Sequence, residues 1–391
     1  MRVRVGADVL LHDQLELIAG KNVGVLTNHS ALLSNGEHLV DALAKQKAVR
    51  LRALFGPEHG IRGKAPDRKS IGHEVDPETG IPVYSLFGKV TKPTRQMLKG
   101  IDVLLFDIQD VGARFYTYTT TLALTMEAAA ENGIPYIVLD RPNPIGGRHV
   151  EGPILEENLR SFVGWLPVPI VHGLTIGELA LMINGEGWLR NRKTARLHVV
   201  KMKGWKRVQF FDQTRLRWVN PSPSIRSLQT ALVYPGTCLI EGTNVSEGRG
   251  TEHPFEQIGA PWIKARELAS KLRSFHLPGV DFRPTTFTPR STRAATTDSK
   301  FEGEHCEGVF LTVTERARFR PVRTGISILC SLRELYPADF SMKPRRLDEL
   351  VGTRSVRRAI LDGAAPKQIA DHWDSDILQF DAIREQYLLY P

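Results

Sequence analysis

The run Val103-Leu104-Leu105-Phe106 passes directly into Asp107-Ile108-Gln109-Asp110-Val111-Gly112-Ala113-Arg114, an apolar stretch that ends in carboxylates, glycine and arginine. Three other runs do the same. Val49–Phe55 enters Gly56-Pro57-Glu58-His59-Gly60-Ile61-Arg62-Gly63, and Tyr136–Leu139 enters Asp140-Arg141-Pro142-Asn143-Pro144. Thr237–Ile240 enters Glu241-Gly242-Thr243-Asn244. Short apolar runs bounded by turn residues read as strands buried on both faces, the habit of a parallel sheet. In such a sheet the carboxyl ends of the strands share one edge, and ligands bind in the crevice outside it. Polar groups at successive strand ends therefore gather in one place, which is the pattern of an enzyme.

Working outward, residues 1–255 alternate strand-like and helix-like segments, an α/β domain with a parallel sheet. The first strand, Val23–Leu26, leads into Thr27-Asn28-His29-Ser30. Further strands are expected near 49–55, 83–86, 103–106, 136–139, 197–202 and 237–240. Helices are expected over 37–47, 94–98, 121–132 and 224–232. The 121–132 helix should close at Gly133 in a left-handed cap. Thr175-Ile176-Gly177-Glu178 is a capping-box signature for a helix running to Asn184. Residues 256–391 read as a smaller α+β domain that closes the cleft. Its helices are expected at 265–275, 324–335, 353–362 and near the C-terminus, with extended segments at 279–287 and 308–313.

The 391 residues carry 52 Lys and Arg against 43 Asp and Glu, a formal charge of +9. That balance favours anionic partners. No long basic block with interleaved aromatics occurs, so nucleic acid is not expected as a partner. Arg190-Asn191-Arg192-Lys193 and Lys343-Pro344-Arg345-Arg346 read as solvated turns. Cys238, Cys306 and Cys330 form no C-x-x-C pair, and the histidines are scattered singly, so neither metal nor organic cofactor is expected. The longest apolar stretches fall short of the ~20 residues of a membrane span. The N-terminus shows no secretory signal, which as written implies a cytoplasmic protein, or a secreted or periplasmic one if a leader has been processed away.

Nucleotide motifs are missing: Val25-Leu26-Thr27-Asn28 stands where a dinucleotide fold has its glycines. No P-loop, H-E-x-x-H or G-x-S-x-G occurs either. What the strand ends do supply is acids: Glu58, Asp107, Asp110, Asp140, Glu241 and Glu247. Glycoside hydrolysis needs such a set, one acid to protonate the leaving oxygen and a second group to activate water or attack the sugar. Each of these acids also has a plainer use, as turn former, cap or ion-pair partner. Tyr116 and Tyr118 can stack on a sugar or simply fill the core. The glycine-rich segment 242–251 suits a phosphate or any polar ligand.

The order of motifs carries a resemblance. GPEHGIRG, IPVYSLFG, DIQDVGARFYTY, LDRPNPIGG, HGLTIGELA, WVNPSPS, YPGTCLIEGTNVSEGRGT, PFEQIGAPW and the terminal YLLY resemble the bacterial peptidoglycan exo-β-N-acetylmuramidases, long grouped as a domain of unknown function. The likeness runs from about residue 20 to the C-terminus. It implies a Rossmann-like domain without nucleotide, a smaller second domain and a site between them. The implied reaction releases N-acetylmuramic acid from the non-reducing end of peptidoglycan fragments or of the muramyl disaccharide. The family's leading catalytic candidate falls on Glu58. Asp107 and Tyr116 are the candidates for the second group, with Asp110, Glu241 and Glu247 behind them. Asn28, His59, Arg62, Asp110, Arg114, Tyr118, Asp140, Arg141, Asn143, Glu241, Asn244, Glu247 and Arg249 are the candidate substrate contacts. An arginine among Arg62, Arg114, Arg141 and Arg249 is expected to grip the lactyl carboxylate of muramic acid, since a planar guanidinium matches it in two-point fashion. Departures from the family pattern stand at Asn28-His29, Gly56 and Ser224. A non-catalytic binder of sugars or phosphosugars is the alternative use of such a cleft.

Overall fold

The computed structural model describes residues 2–58, 60–62, 74–291 and 299–391. Its larger sheet contains β1 (Asn22–Thr27), β2 (Arg50–Gly56), β3 (Glu74–Val75), β4 (Pro82–Ser85), β5 (Val103–Asp107), β6 (Tyr136–Leu139) and β7 (Leu197–Val200). They lie in the order β3-β4-β2-β1-β5-β6-β7, all parallel except the short β3. The expected α/β class is the one found. Alternate residues of β5 serve opposite faces: Leu104 and Phe106 join one apolar core, Val103 and Leu105 the other. Both faces are covered by helices, which is why these strands read as unbroken apolar runs.

The chain moves outward from β1 through β2 to β4, then returns to β5 on the other side of β1. This is a topological switch point, and the loops after Thr27 and Asp107 diverge there. Local signals fix the elements as expected. Gly133 adopts φ 66° at the end of the helix Tyr118–Asn132. Thr175 and Glu178 close a reciprocal capping box at the start of the helix Ile176–Gly185.

Two expectations fail. Thr237–Ile240 is not a strand but the end of the helix Leu228–Thr237 and the tighter helical turn Cys238–Gly242 that follows. Residues 230–242 are buried all round, and a short run with no polar face carries no periodicity to separate helix from strand. Residues 94–98 likewise form turns rather than a helix.

The second sheet is antiparallel, β8 (Gln257–Ala260), β10 (Cys306–Val313) and β9 (Val280–Phe287) in that order. The helix Ala265–Ser274 packs on β9 and β10 and against the helix Pro321–Leu335. One apolar core runs without a break from Phe106 and Leu122 through Leu232 and Phe255 to Val309 and Ile326. The helices Leu228–Thr237 and Pro321–Leu335 cross at Gly236 and Gly325, where a Cβ on either glycine would overlap backbone of the other helix. Alanine raises helix propensity by about 1 kcal/mol over glycine. Overpacking at this crossing outweighs that gain, so Gly325→Ala should lower stability by about 1–3 kcal/mol. A denaturant midpoint equal to or above the wild type would contradict the close crossing.

Candidate active site

A cleft of about 570 Å³ opens beside the sheet's carboxyl edge. Glu58, two residues past the end of β2, lines it together with Phe87, Tyr116, Thr117, Tyr118 and Phe162. The far wall holds Tyr234, Glu241, Glu247, Arg249, Phe255, Lys300, Lys343, Arg346 and Leu350.

The floor is a relay of edge-to-face rings. Tyr116 meets Tyr118 at 4.8 Å and Tyr234 at 5.9 Å, and Tyr234 meets Phe255 at 4.8 Å. Tyr118 is fixed from the switch point: Asn28, just beyond β1, donates to its hydroxyl at 2.9 Å, and that hydroxyl donates to the Pro221 carbonyl at 2.9 Å. Asn28 thus acts behind the cleft, orienting a ring that lines it. Burial pushes the Tyr116 phenol well above its ordinary range, against a weaker opposite pull from the Ser222 hydroxyl. At neutral pH Tyr116 is a hydrogen-bond donor, not a phenolate.

The charged wall is a lattice of opposite charges. Glu241 accepts from Arg249 Nη2 at 3.0 Å and from Arg346 Nη2 at 2.6 Å. Lys300 gives its three donors to Glu247 (3.0 Å) and to the carbonyls of Ile240 (2.9 Å) and Val245 (2.7 Å). Arg249 also reaches Ser224 Oγ at 2.9 Å, faces Glu247 at 3.5 Å and sits 4.9 Å over the Phe255 ring. Glu241 therefore enters the cleft from a helix end, not from a strand end as the sequence suggested.

The remaining candidates lie elsewhere. Asp107 is fully buried and bound by Arg141 through Nε at 2.5 Å and Nη2 at 2.9 Å, and neither residue lines the cleft. Asp110 accepts from the Gly112 amide at 2.7 Å, with His172 Nε2 at 3.7 Å. Gly112 takes φ +80° with the Asn143 amide packed where a Cβ would stand, so this turn admits little but glycine. Asn143 bonds the Leu174 carbonyl at 2.9 Å, and Asn244 bonds Asp339 and Ser341 at 2.8 and 2.9 Å. Both are loop ties. Arg62 is bidentate to Asp76 and to Asp41. Arg114 is buried, and among the described residues it donates to carbonyls alone: Pro153 (2.7 Å), Val168 (2.9 Å), Leu350 (2.9 Å) and Val351 (2.7 Å). Of the four arginines expected to grip a carboxylate, the structure brings Arg249 alone to the cleft. His59 lies outside the described residues.

Asp140 serves the C-terminus. It accepts from the amides of Arg141 and Gly177, from Thr175 Oγ1 at 2.8 Å and from Tyr390 Oη at 2.5 Å. Burial pushes its carboxyl from 3.8 up to about 7, assisted by Glu178 and opposed by the hydrogen bonds from Tyr390, Gly177 and Thr175. The folded state thus binds this proton more tightly than the unfolded one. The stability it gives is complete below pH 3.8 and lost as pH rises toward about 7. Asp140→Asn keeps all four partners, since both hydroxyls can accept. Its unfolding free energy should therefore gain on the wild type as pH rises through that window. Parallel pH curves for the two proteins would contradict the assignment.

Lys343 and Arg346 were missed because their basic cluster carries no apolar periodicity. In fact Pro344–Val351 is a helix, with Leu347, Leu350 and Val351 buried. Lys300, Tyr234 and Phe255 enter from elements whose packing against the first sheet no local pattern reveals.

Comparison with known proteins agrees with this architecture. The models of the exo-β-N-acetylmuramidase NamZ N-terminal and C-terminal domains match residues 23–229 and 232–390. The peptidoglycan β-N-acetylmuramidase NamZ of Bacillus subtilis (strain 168) is 49% identical over 390 residues, covering 100% of this chain and 92% of that protein. Two crystal structures of DUF1343 family proteins from Bacteroides fragilis NCTC 9343 superpose at TM-scores of 0.92 and 0.82. They are 38% and 34% identical, and each comparison covers 100% of this chain and 99% of the other. A mostly parallel sheet, a second antiparallel domain and full-length matches to both domain models make this chain a member of the NamZ exo-β-N-acetylmuramidase family.

Proposed function

We propose that this protein is an exo-acting glycosidase that releases N-acetylmuramic acid from the non-reducing end of peptidoglycan fragments or the muramyl disaccharide, with Glu58 as general acid. The observation that carries the reading is the placement of Glu58. Among the described residues it is the carboxylate that the loops at the strand ends of the larger sheet bring to the cleft, facing a wall where Glu241 and Glu247 are held by cations. A general acid must reach the glycosidic oxygen, while a second group works from another side of the sugar ring.

For that second group the geometry favours Glu247. Both oxygens of Glu241 are bound, at 3.0 and 2.6 Å. Glu247 has one oxygen on Lys300 at 3.0 Å and the other only 3.5 Å from Arg249. Tyr116, a neutral phenol, suits donation to a sugar hydroxyl rather than attack on the anomeric carbon. The aromatic floor supplies faces on which a pyranose ring can lie. Turnover of a chromogenic β-N-acetylmuraminide, with the matching N-acetylglucosaminide alongside, tests the reading. No turnover of the muraminide, with binding intact, would leave a sugar-binding protein instead.

A further inference from the structure

Among the described residues, four cations line the cleft: Arg249, Lys300, Lys343 and Arg346. Their commitments differ. Lys300 has all three donors engaged, and Arg249 is directed at Ser224, Glu241 and Glu247. Arg346 gives Nη2 to Glu241, and among the described residues its Nε and Nη1 make no hydrogen bond, with 32% of its side chain exposed. Lys343 is exposed, and among the described residues its side chain makes no ion pair or hydrogen bond.

Lys343, Arg346 and Leu350 fall at spacings of three and four, so one face of the helix Pro344–Val351 looks into the cleft. That helix is held at both ends. The Lys343 amide bonds the Gly242 carbonyl at 2.7 Å, beside Glu241. The Leu350 and Val351 carbonyls are bound by Arg114. Basic side chains on a first helical turn oppose the helix dipole, so their position there is not one that helix stability selects. Two cations with open donors, one turn apart on a fixed element and facing a cleft, make a receptor for a carboxylate.

We propose that Lys343 and Arg346 form the anion-recognition element of this cleft and bind a carboxylate substituent of the sugar. On the muramidase reading above, on which the identity of that group rests, it is the lactyl carboxylate. Arg249 then organises the acidic side chains instead of gripping substrate.

The test compares two glycosides, a β-N-acetylmuraminide with its free lactyl carboxylate and the same compound as the neutral lactyl amide. Loss of a hydrogen bond to a charged group corresponds to about a 10- to 100-fold change. Lys343→Ala should raise KM for the acid by about that factor, change the amide far less and so collapse the wild-type preference. Arg346→Lys, which keeps the charge near Glu241, should give a smaller loss of the same kind. Arg345→Ala, on an exposed side chain paired with Glu349, should behave as wild type. Equal effects of Lys343→Ala on acid and amide, or none on either, would overturn the proposal. If the wild type cleaves neither compound, the glycosidase reading fails by itself. Calorimetric binding of N-acetylmuramic acid against N-acetylglucosamine to wild type and Lys343→Ala then decides the clamp. An unchanged ratio of the two affinities rejects it.

Discussion

Glu58→Gln should fold as the wild type and lose turnover of a β-N-acetylmuraminide by about 10²–10⁴, the range expected when a general acid is removed. Glutamine preserves the size of the side chain and its acceptor oxygen but cannot deliver a proton to the leaving group. Glu58 sits past the last residue of β2, half-buried, in a loop that starts from a strand pinned on both sides by β1 and β4. The loss should fall on kcat, with affinity for the product sugar retained. A variant of near-normal kcat would remove Glu58 from the chemistry. One that neither binds nor turns over would make it a scaffold residue.

A comparable loss of a different kind is expected at Asp107. Its carboxylate and the Arg141 guanidinium are 0% and 5% exposed and meet through two hydrogen bonds. Removing one member of a buried pair leaves the other charge uncompensated, which typically destabilises by about 3–5 kcal/mol. Asp107→Asn should thus shift the unfolding midpoint strongly while the folded fraction keeps its turnover. Replacing both residues, as Asp107→Leu with Arg141→Met, should recover much of the lost stability. A variant as stable as wild type but inactive would return Asp107 to the catalytic candidates.

Glu58 and Asp107 show what was legible in the sequence and what was not. Apolar runs named the strands, and the turn residues after them named the sheet edge, so Glu58, Tyr116 and Tyr118 could be placed near that edge, while the rank of Glu58 as leading candidate came from the family resemblance. The side of that edge to which each acid turns depends on what later chain packs there. Asp107 meets Arg141, and Asp140 meets Thr175 and Tyr390, from segments 34, 35 and 250 residues away. No pattern within one strand end encodes such partners. The failure at Thr237–Ile240 has the same root, because a segment buried on every side loses the polar stripe that would mark it as a helix. Lys343 and Arg346 were legible as charges but not as neighbours of Glu241, since that proximity comes from Arg346 meeting an acid 105 residues earlier.

Arg114 has a dynamic consequence. Its guanidinium ties the loops at Pro153 and Val168 to the end of the helix that carries Lys343 and Arg346, with no carboxylate among these partners. A hinge that drew Leu350 and Val351 away would break two hydrogen bonds from a charged donor, each worth about 1.5–3 kcal/mol, and so disfavours opening at this point. With these ties intact, the gap between the two lips beside Leu350 should stay near constant through turnover. Sugar should enter and leave through an aperture of constant size, and turnover should be indifferent to cross-links that tie the two lips together.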